Sequence, residues 1–202
     1  MYLTYSPFWL QSLYPSLTWH KSRDEKNLFL TFDDGPIPVV TPFVLNTLKK
    51  FDAKATFFCI GDNVAKHPDI FEQIIAEGHA VGNHTFNHLN GWKTDDLTYL
   101  QNIAQCDQLI ISKLFRPPYG RATRSQYAII NTQYTTIMWD VLSGDFDLKL
   151  SPQECLNNVL KNTRNGSIIL FHDSIKAWPR LETVLPQVLA HFRSKGYDFK
   201  SL

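Results

Sequence analysis

The sequence predicts an α/β fold in a single domain, built on a mainly parallel sheet that helices cover. Short apolar runs alternate with longer amphipathic stretches, which is the pattern of successive strand–helix units. Glycines stand at the breaks, and Gly78, Gly166 and Gly196 follow stretches where a helix should end. A length of 202 residues suits one domain with a sizeable core. Periodicity alone leaves an open doubly wound sheet and a closed barrel both possible.

Seven strands are predicted from the short apolar runs. The clearest run is LFLTF at residues 28–32, which is typical of a strand buried on both faces, and Gly35-Pro36 makes the chain turn soon after it. The predicted strands are residues 27–32, 53–60, 80–83, 114–116, 135–141, 167–171 and 197–200.

Six helices are predicted from the amphipathic stretches between these strands. They cover residues 39–51, 68–77, 94–111, 123–131, 152–162 and 180–195. In a parallel sheet the carboxyl ends of the strands lie on one side, and binding and catalytic groups collect there. Polar residues that directly follow a predicted strand are therefore the first candidates for a site.

Composition excludes some classes of partner. The formal net charge is +1 and no run of Lys or Arg forms a basic stripe, so we expect no nucleic-acid partner. The three cysteines, Cys59, Cys106 and Cys155, lack CxxC spacing, and they are interpreted as buried thiols rather than a disulfide framework or a zinc cluster.

The first 26 residues are interpreted as an N-terminal segment that packs on the domain formed by residues 27–202. The segment is rich in aromatic and apolar residues, but it lacks the basic region and small-residue cleavage site of a secretory signal. No stretch approaches the roughly 20 apolar residues of a transmembrane helix. We therefore expect a cytoplasmic location, with a cell-envelope or membrane-peripheral location as the alternative.

Two adjacent carboxylates follow the first strand. Asp33 and Asp34 stand in the sequence TFDDGP, and neighbouring side chains at a strand end point in different directions. One carboxylate can therefore face a metal while the other faces a water molecule. An ordinary Asp-Gly-Pro turn is the alternative interpretation of this motif taken alone.

Two imidazoles, His84 and His88, follow the third strand four residues apart. On a helical turn this spacing brings both rings to one side, where they can share a metal. With Asp34 they form a set of two histidines and one carboxylate that leaves coordination positions open, as catalytic metal sites do.

Other strand ends supply further candidates. Arg116 precedes a rigid Pro-Pro-Tyr-Gly loop and could hold a carboxylate in its ionised form. Trp139 lies near the end of the predicted fifth strand and Asp145 follows it; core packing of Trp139 and turn formation at Asp145 are the simpler interpretations. His172 ends the apolar run of residues 167–171, and an imidazole at a strand end can donate a proton near neutral pH.

Together these motifs resemble the polysaccharide deacetylase family, the NodB-homology carbohydrate esterases. The resemblance runs from about Leu28 to Leu202 and matches all five family motifs in order. It implies a distorted (β/α)₇ barrel. It also implies a role for each candidate residue. Asp33 would be the base, oriented by Arg116, and His172 would be the acid, paired with Asp145. The metal ligands would be Asp34, His84 and His88, the acetyl pocket would be walled by Trp139 and Leu170, and the Tyr119 N–H would donate to the oxyanion.

The activity implied by this resemblance is removal of N-acetyl groups from N-acetylglucosamine-containing glycans, of chitooligosaccharide or peptidoglycan type. The expected cofactor is a divalent metal, zinc by default, with cobalt or another first-row ion possible. Alternatives are an O-acetyl esterase on xylan, an amidohydrolase on a small C–N substrate, and a glycan-binding protein without activity. Phe146 stands where the family usually has Trp, and Leu142 replaces a common acid, so the cleft wall should differ.

Overall fold

The computed structural model describes residues 2–202, and its strands form one curled parallel sheet. The sheet order is β5-β4-β3-β2-β1-β7-β6, with β8 paired to β1 beside this path. The strands are β1 Asn27–Asp33, β2 Ala55–Cys59, β3 Ala80–Asn83, β4 Leu114–Phe115, β5 Thr135–Thr136, β6 Val141–Leu142, β7 Ile168–His172 and β8 Asp198–Phe199.

The sheet curls into a barrel because its two outermost strands belong to one short piece of chain. β5 pairs with β4, β6 pairs with β7, and only residues 137–140 separate β5 from β6. The predicted fifth strand, 135–141, is therefore divided between the two edges of the sheet. The α/β class and the distorted (β/α)₇ barrel are confirmed, and the open sheet is wrong.

Helices surround the barrel. They are α1 Phe8–Leu13, α2 Val40–Lys50, α3 Gly61–Lys66, α4 Pro68–Ala76, α5 Asp96–Asp107, α6 Arg124–Ile130, α7 Pro152–Asn162 and α8 Trp178–Ser194. All six predicted helices are present, whereas α1 and α3 were not predicted. Their six residues each are too few to display a convincing 3.6-residue period.

Several helix starts have clear local causes. Ser151 and Glu154 form a reciprocal capping box at α7, with Pro152 at the first helical position. Thr123 and Gln126 do the same at α6. The predicted start of α5 at residue 94 was two residues early because the Asp95 side chain accepts the Thr98 N–H as N-cap.

The barrel interior changes from apolar to charged along the strand direction. Phe29 and Ile168, near the amino ends of β1 and β7, form a small apolar cluster with Phe58 and Ile137. Side chains alternate along a strand, so Thr31 and Asp33 follow Phe29 on the inner face of β1. Leu170 and His172 likewise follow Ile168 on β7, and the register pairs Thr31 with Leu170 and Asp33 with His172. The polar groups therefore collect at the carboxyl ends of the strands.

The outer faces of the same strands carry the main core. Leu28, Leu30 and Phe32 of β1 pack in one cluster with Ile169 and Phe171 of β7, beneath helices α2, α7 and α8. All five side chains are fully buried. Each fully buried side chain of this size contributes about 1.5–3 kcal/mol, so the central strands are held firmly where they carry the polar inner face.

The N-terminal segment lies along residues 135–142 and reaches the amino end of β7. Thr18 bridges Ile137, and Tyr5 bridges Val141, so the segment covers the strand that closes the barrel. Its Lys21 N–H donates to the Gly166 carbonyl. Gly166 has φ 71°, and a Cβ there would lie 2.1 Å from the Ser22 carbonyl oxygen, which leaves no room for a side chain.

No helix within residues 2–202 combines the length and apolar character that crossing a bilayer requires.

Cys59, Cys106 and Cys155 are buried free thiols, as the sequence predicts.

Arg23 of the N-terminal segment is anchored by a buried carboxylate. Its guanidinium lies 2.7 Å from Asp140 Oδ2, and Asp140 also accepts the Ile168 N–H. Burial raises the pKa of Asp140, whereas Arg23 favours the ionised form.

We expect Arg23→Met to lower the free energy of unfolding by about 3 kcal/mol at neutral pH, since the Asp140 charge would stay buried without its partner. The loss should shrink as the pH falls, because the raised pKa lets Asp140 take up a proton and lose that charge. Urea denaturation at neutral and mildly acidic pH measures both effects. Lys21→Met, which changes an exposed neighbour, is the matched control. An equal loss in the control, or a loss independent of pH, would contradict this account.

Candidate metal centre and active site

The two adjacent aspartates occupy different environments at the end of β1. Asp33 is the last strand residue, is 3 % exposed and points into the barrel. Asp34 follows with φ 87°, which ends the strand and turns its side chain toward the loops. Asn63 Nδ2 donates to the Asp34 carbonyl at 2.7 Å and steadies this backbone.

Arg116 lies fully buried inside the barrel, directly after β4, and pairs with Asp33. Its Nη1 donates to Asp33 Oδ1 at 2.7 Å and to Thr31 Oγ1 at 2.8 Å. Its Nε and Nη2 donate to the carbonyls of Ile137 and Met138. Burial lowers the pKa of Arg116, while the Asp33 charge opposes that shift and favours the cation. The pairing that the sequence predicts between these two residues is therefore present in the structure.

Asp34, His84 and His88 place three ligand atoms within 4.8 Å of one another. Asp34 Oδ1 lies 3.3 Å from His88 Nε2 and 3.9 Å from His84 Nε2. Ligands of a tetrahedral divalent ion at about 2.0–2.1 Å from the metal lie about 3.3 Å apart. Asp34 Oδ1 is also buried without a hydrogen-bond partner in residues 2–202. A buried oxygen without a donor is the arrangement that a bound cation satisfies, so the three residues fit a metal.

The ring of His84 is oriented by the backbone of Arg116. Its Nδ1–H donates to the Arg116 carbonyl at 2.7 Å, which leaves Nε2 facing Asp34 with its lone pair. Burial lowers the pKa of His84 well below its ordinary value, and the neighbouring His88 adds to this shift. Burial also lowers the pKa of His88. Both rings are therefore neutral near pH 7, as metal ligands must be.

His84 and His88 approach each other without a helical turn, in the loop that directly follows β3. Residues 84–88 form an irregular loop after β3, in which Thr85 and His88 have φ of 62° and 56°. The loop is held by side chains instead: Asn83 Oδ1 accepts the Thr85 N–H, and Asn102 Oδ1 accepts the N–H of Phe86 and of Asn87. The rings nevertheless approach to 5.1 Å between centroids.

His172 ends β7 next to Asp33 and pairs with the fully buried Asp145. Its Nδ1 lies 2.8 Å from Asp145 Oδ1, and its backbone N–H donates to Asp145 Oδ2 at 2.7 Å. Burial by itself would lower the pKa of His172, but the charge and hydrogen bond of Asp145 outweigh it and raise the pKa to about 9. His172 is therefore protonated near neutral pH.

The three predicted substrate-contact residues surround this group of polar side chains. Tyr119 has φ 60°, its ring lies 4.7 Å from that of His88, and its backbone N–H donates to no acceptor in residues 2–202. Trp139 packs against Gly120 and lies 5.7 Å from the Arg116 guanidinium. Leu170 is buried on the inner face of β7, two residues before His172.

Sequence reasoning missed two residues that hold the site together. Thr31 bonds Arg116, although its position two residues before Asp33 could have placed it on the same face. Asp173 is fully buried and accepts the Gly35 N–H and the Thr41 hydroxyl. Burial, with a contribution from the Asp34 charge, raises the pKa of Asp173 to about 8. No local sequence signal marks that role.

The chain is similar in sequence to known polysaccharide deacetylases. The family model of polysaccharide deacetylases matches residues 20–137. A peptidoglycan-N-acetylglucosamine deacetylase of Bacillus cereus is 34% identical over 191 residues, which cover 91% of this chain and 89% of that protein. A chitooligosaccharide deacetylase of Azorhizobium caulinodans is 36% identical over 160 residues, or 75% of this chain and 76% of that protein.

A solved structure shows the same architecture. The crystal structure of the Bc1960 peptidoglycan N-acetylglucosamine deacetylase, in complex with an N-oxidanyl-benzamide, superposes with a TM-score of 0.88 at 31% identity. The superposition covers 98% of this chain and 95% of that one. The barrel and the N-terminal segment described above are therefore both within the matched part.

We expect an NMR titration of the metal-free protein to give a pKa of about 9 for His172. Asp145→Asn should lower that pKa, because it removes the charge that contributes most against burial and leaves only the smaller raising effects of Asp34 and Asp33. His191, in the last turn of α8, is the internal control and should titrate unchanged. A pKa for His172 that is equal in both proteins would show that Asp145 does not set it.

Proposed function

The chain belongs to the polysaccharide deacetylase family, and from that membership we propose that it hydrolyses N-acetyl groups of N-acetylglucosamine-containing glycans and releases acetate. The relatives named for peptidoglycan and chitooligosaccharide deacetylation support this substrate class. The observation that carries the proposal is the division between the two aspartates. Asp33 is held by a buried arginine, whereas Asp34 presents an unbonded oxygen to two neutral histidines.

Asp33 is the proposed base. Arg116 occupies its Oδ1, and its Oδ2 lies 3.8 Å from His84 Nε2, so the free oxygen faces the metal ligands. A water molecule beside Asp33 Oδ2 and the proposed metal ligands can give its proton to Oδ2 as its oxygen attacks the acetyl carbonyl. The buried cation beside Asp33 favours the ionised carboxylate that this step requires.

Asp34, His84 and His88 would hold the metal, which we propose to be zinc. Imidazole and carboxylate ligands suit Zn²⁺, and a set of three protein ligands leaves room for water and substrate. When bound, such an ion polarises a carbonyl and lowers the pKa of a neighbouring water.

His172 is the proposed acid. Its Nδ1 is bonded to Asp145, so Nε2 is the nitrogen that can donate a proton to the departing amine. That proton transfer breaks the C–N bond without releasing an unstable amide anion. The free N–H of Tyr119 is proposed to stabilise the oxyanion, with Trp139 and Leu170 as walls around the acetyl methyl.

We also propose that residues 27–202 form the catalytic domain and that residues 1–26 serve it as a packing segment. The bridges of Tyr5 and Thr18 to the strand that closes the barrel support this division. Leu17 and Trp19 are buried in the cluster beneath α5 and α6, which joins the segment to the barrel core.

Metal removal should abolish acetate release, and zinc should restore it. We expect calorimetric titration with ZnCl₂ to give one ion per chain, and Asp34→Asn to weaken zinc binding by more than about 100-fold, since even loss of an outer partner costs 10–100-fold. Asp69→Asn, an exposed change on α4, is the matched control. Full activity in the chelated protein would refute the metal dependence.

Asp33→Asn should lower kcat by about 10²–10⁴-fold, because it removes the base and keeps the shape of the side chain. Zinc affinity should change by no more than a few-fold, since Asp33 is not among the proposed ligands. Acetate release from an N-acetylglucosamine tetramer measures the first effect and calorimetry the second. Wild-type turnover in this variant would refute the assignment, and sugar binding without turnover in the wild type would indicate a non-catalytic glycan-binding protein.

A further inference from the structure

Two of the loops that carry site residues also present an exposed indole and an exposed guanidinium side by side. The loop after β3 holds His84 and His88 and continues to Trp92, which is 62 % exposed. The loop after β4 begins with Arg116, passes through Tyr119 and reaches Arg121, whose side chain is exposed. Neither Trp92 nor Arg121 has a part in the reaction proposed above.

The two side chains form a fixed pair. Trp92 Nε1 donates to the Ala122 carbonyl at 3.0 Å, which holds the plane of the indole although the ring is exposed. The Arg121 guanidinium lies 4.8 Å from the centre of that ring. The backbones are also joined, because the Gly91 N–H donates to the Arg121 carbonyl at 3.2 Å. A Cβ on Gly91 would lie 2.7 Å from that carbonyl oxygen, so the close approach of the loops requires glycine.

Arg121 carries an uncompensated charge. Within residues 2–202 it lies in no ion pair, whereas the buried Arg116 and the partly buried Arg23 each hold an aspartate at 2.7 Å. An exposed cation stacked on an indole keeps its outward N–H groups available to an anion, while the ring keeps an apolar face. The pair therefore combines a stacking surface with a carboxylate-binding group.

The Trp92–Arg121 pair is close in sequence to residues at the proposed metal site. Trp92 is four positions after His88, a span of at most about 14 Å of extended chain. Tyr119, two residues before Arg121, has its ring 4.7 Å from that of His88. A glycan with one N-acetyl group at the candidate site can therefore place a neighbouring sugar at the pair.

We propose that Trp92 and Arg121 form a rim subsite that binds a carboxylate-bearing sugar next to the N-acetylglucosamine residue that is deacetylated. The indole face packs on the sugar ring, and the guanidinium binds its carboxylate. This inference rests on the proposed function and narrows it to acidic glycans, with neutral N-acetylglucosamine polymers as poorer substrates.

The experiment compares three substrates of equal length. They are an oligosaccharide of alternating N-acetylglucosamine and N-acetylmuramic acid, the same oligosaccharide with its carboxylates converted to amides, and an N-acetylglucosamine tetramer. Arg121→Gln should lower kcat/KM on the acidic substrate about tenfold, through a higher KM. A loss of about tenfold is what removal of one solvent-exposed ionic hydrogen bond should cause. On the two neutral substrates the variant's kcat/KM should stay within twofold of the wild-type value. Added salt should lower kcat/KM on the acidic substrate in the wild type and not in the variant.

Arg124→Gln is the matched control, since it removes the same charge three residues on, beside Leu13 and Tyr14 of the N-terminal segment. It should leave all three substrates unchanged. Trp92→Phe keeps a stacking ring and should retain the preference for the acidic substrate. Trp92→Ala should lose it, and the midpoint of thermal unfolding verifies that each variant is folded.

Equal losses on acidic and neutral substrates in Arg121→Gln, or no loss on any of them, would overturn the subsite. A wild type that prefers the amidated oligosaccharide would overturn it as well. Absence of acetate from all three substrates with the zinc-loaded wild type would instead refute the proposed function, so the two failures are distinguishable.

Discussion

The buried guanidinium of Arg116 is the constraint on which the site depends. A cation inside a barrel is tolerated only where a counter-charge and hydrogen-bond acceptors surround it. Asp33 supplies the counter-charge, and Thr31, Ile137 and Met138 supply the remaining acceptors. These partners lie on β1 and on the stretch between β5 and β6. One side chain therefore links β1, β4 and the chain that closes the barrel.

The same residue also contacts one of the proposed metal ligands through its backbone. Its carbonyl accepts the Nδ1–H of His84, so the orientation of one ligand follows from where Arg116 sits. The carboxylate bound by its side chain and the imidazole bound by its backbone then lie 3.8 Å apart. Because Arg116 bonds both groups, Asp33 and the proposed ligands keep a fixed relative position although they belong to different loops and strands.

A second buried pair holds the opposite side of the site. Asp145 is fully buried and bonds both the backbone and the ring of His172. The two pairs have opposite effects: at Asp33 an arginine favours a negative group, and at His172 a carboxylate favours a positive one. The proposed base and the proposed acid can therefore coexist on adjacent strands, because each has its own buried counter-charge.

The sequence by itself determined the order of strands and helices and the residue types at the strand ends. Those features are encoded in periodicities and turn residues that span about ten residues, so Asp33, His84, Arg116 and His172 could be recognised as candidates. Only the tertiary structure decided the loop conformation of residues 84–88, the burial of Arg116 and the contact of Asp173 with Gly35. Arg116 and Asp33 are 83 positions apart, and their contact follows from strand register and barrel closure. Such long-range pairings depend on how whole elements pack, and no local pattern specifies that packing.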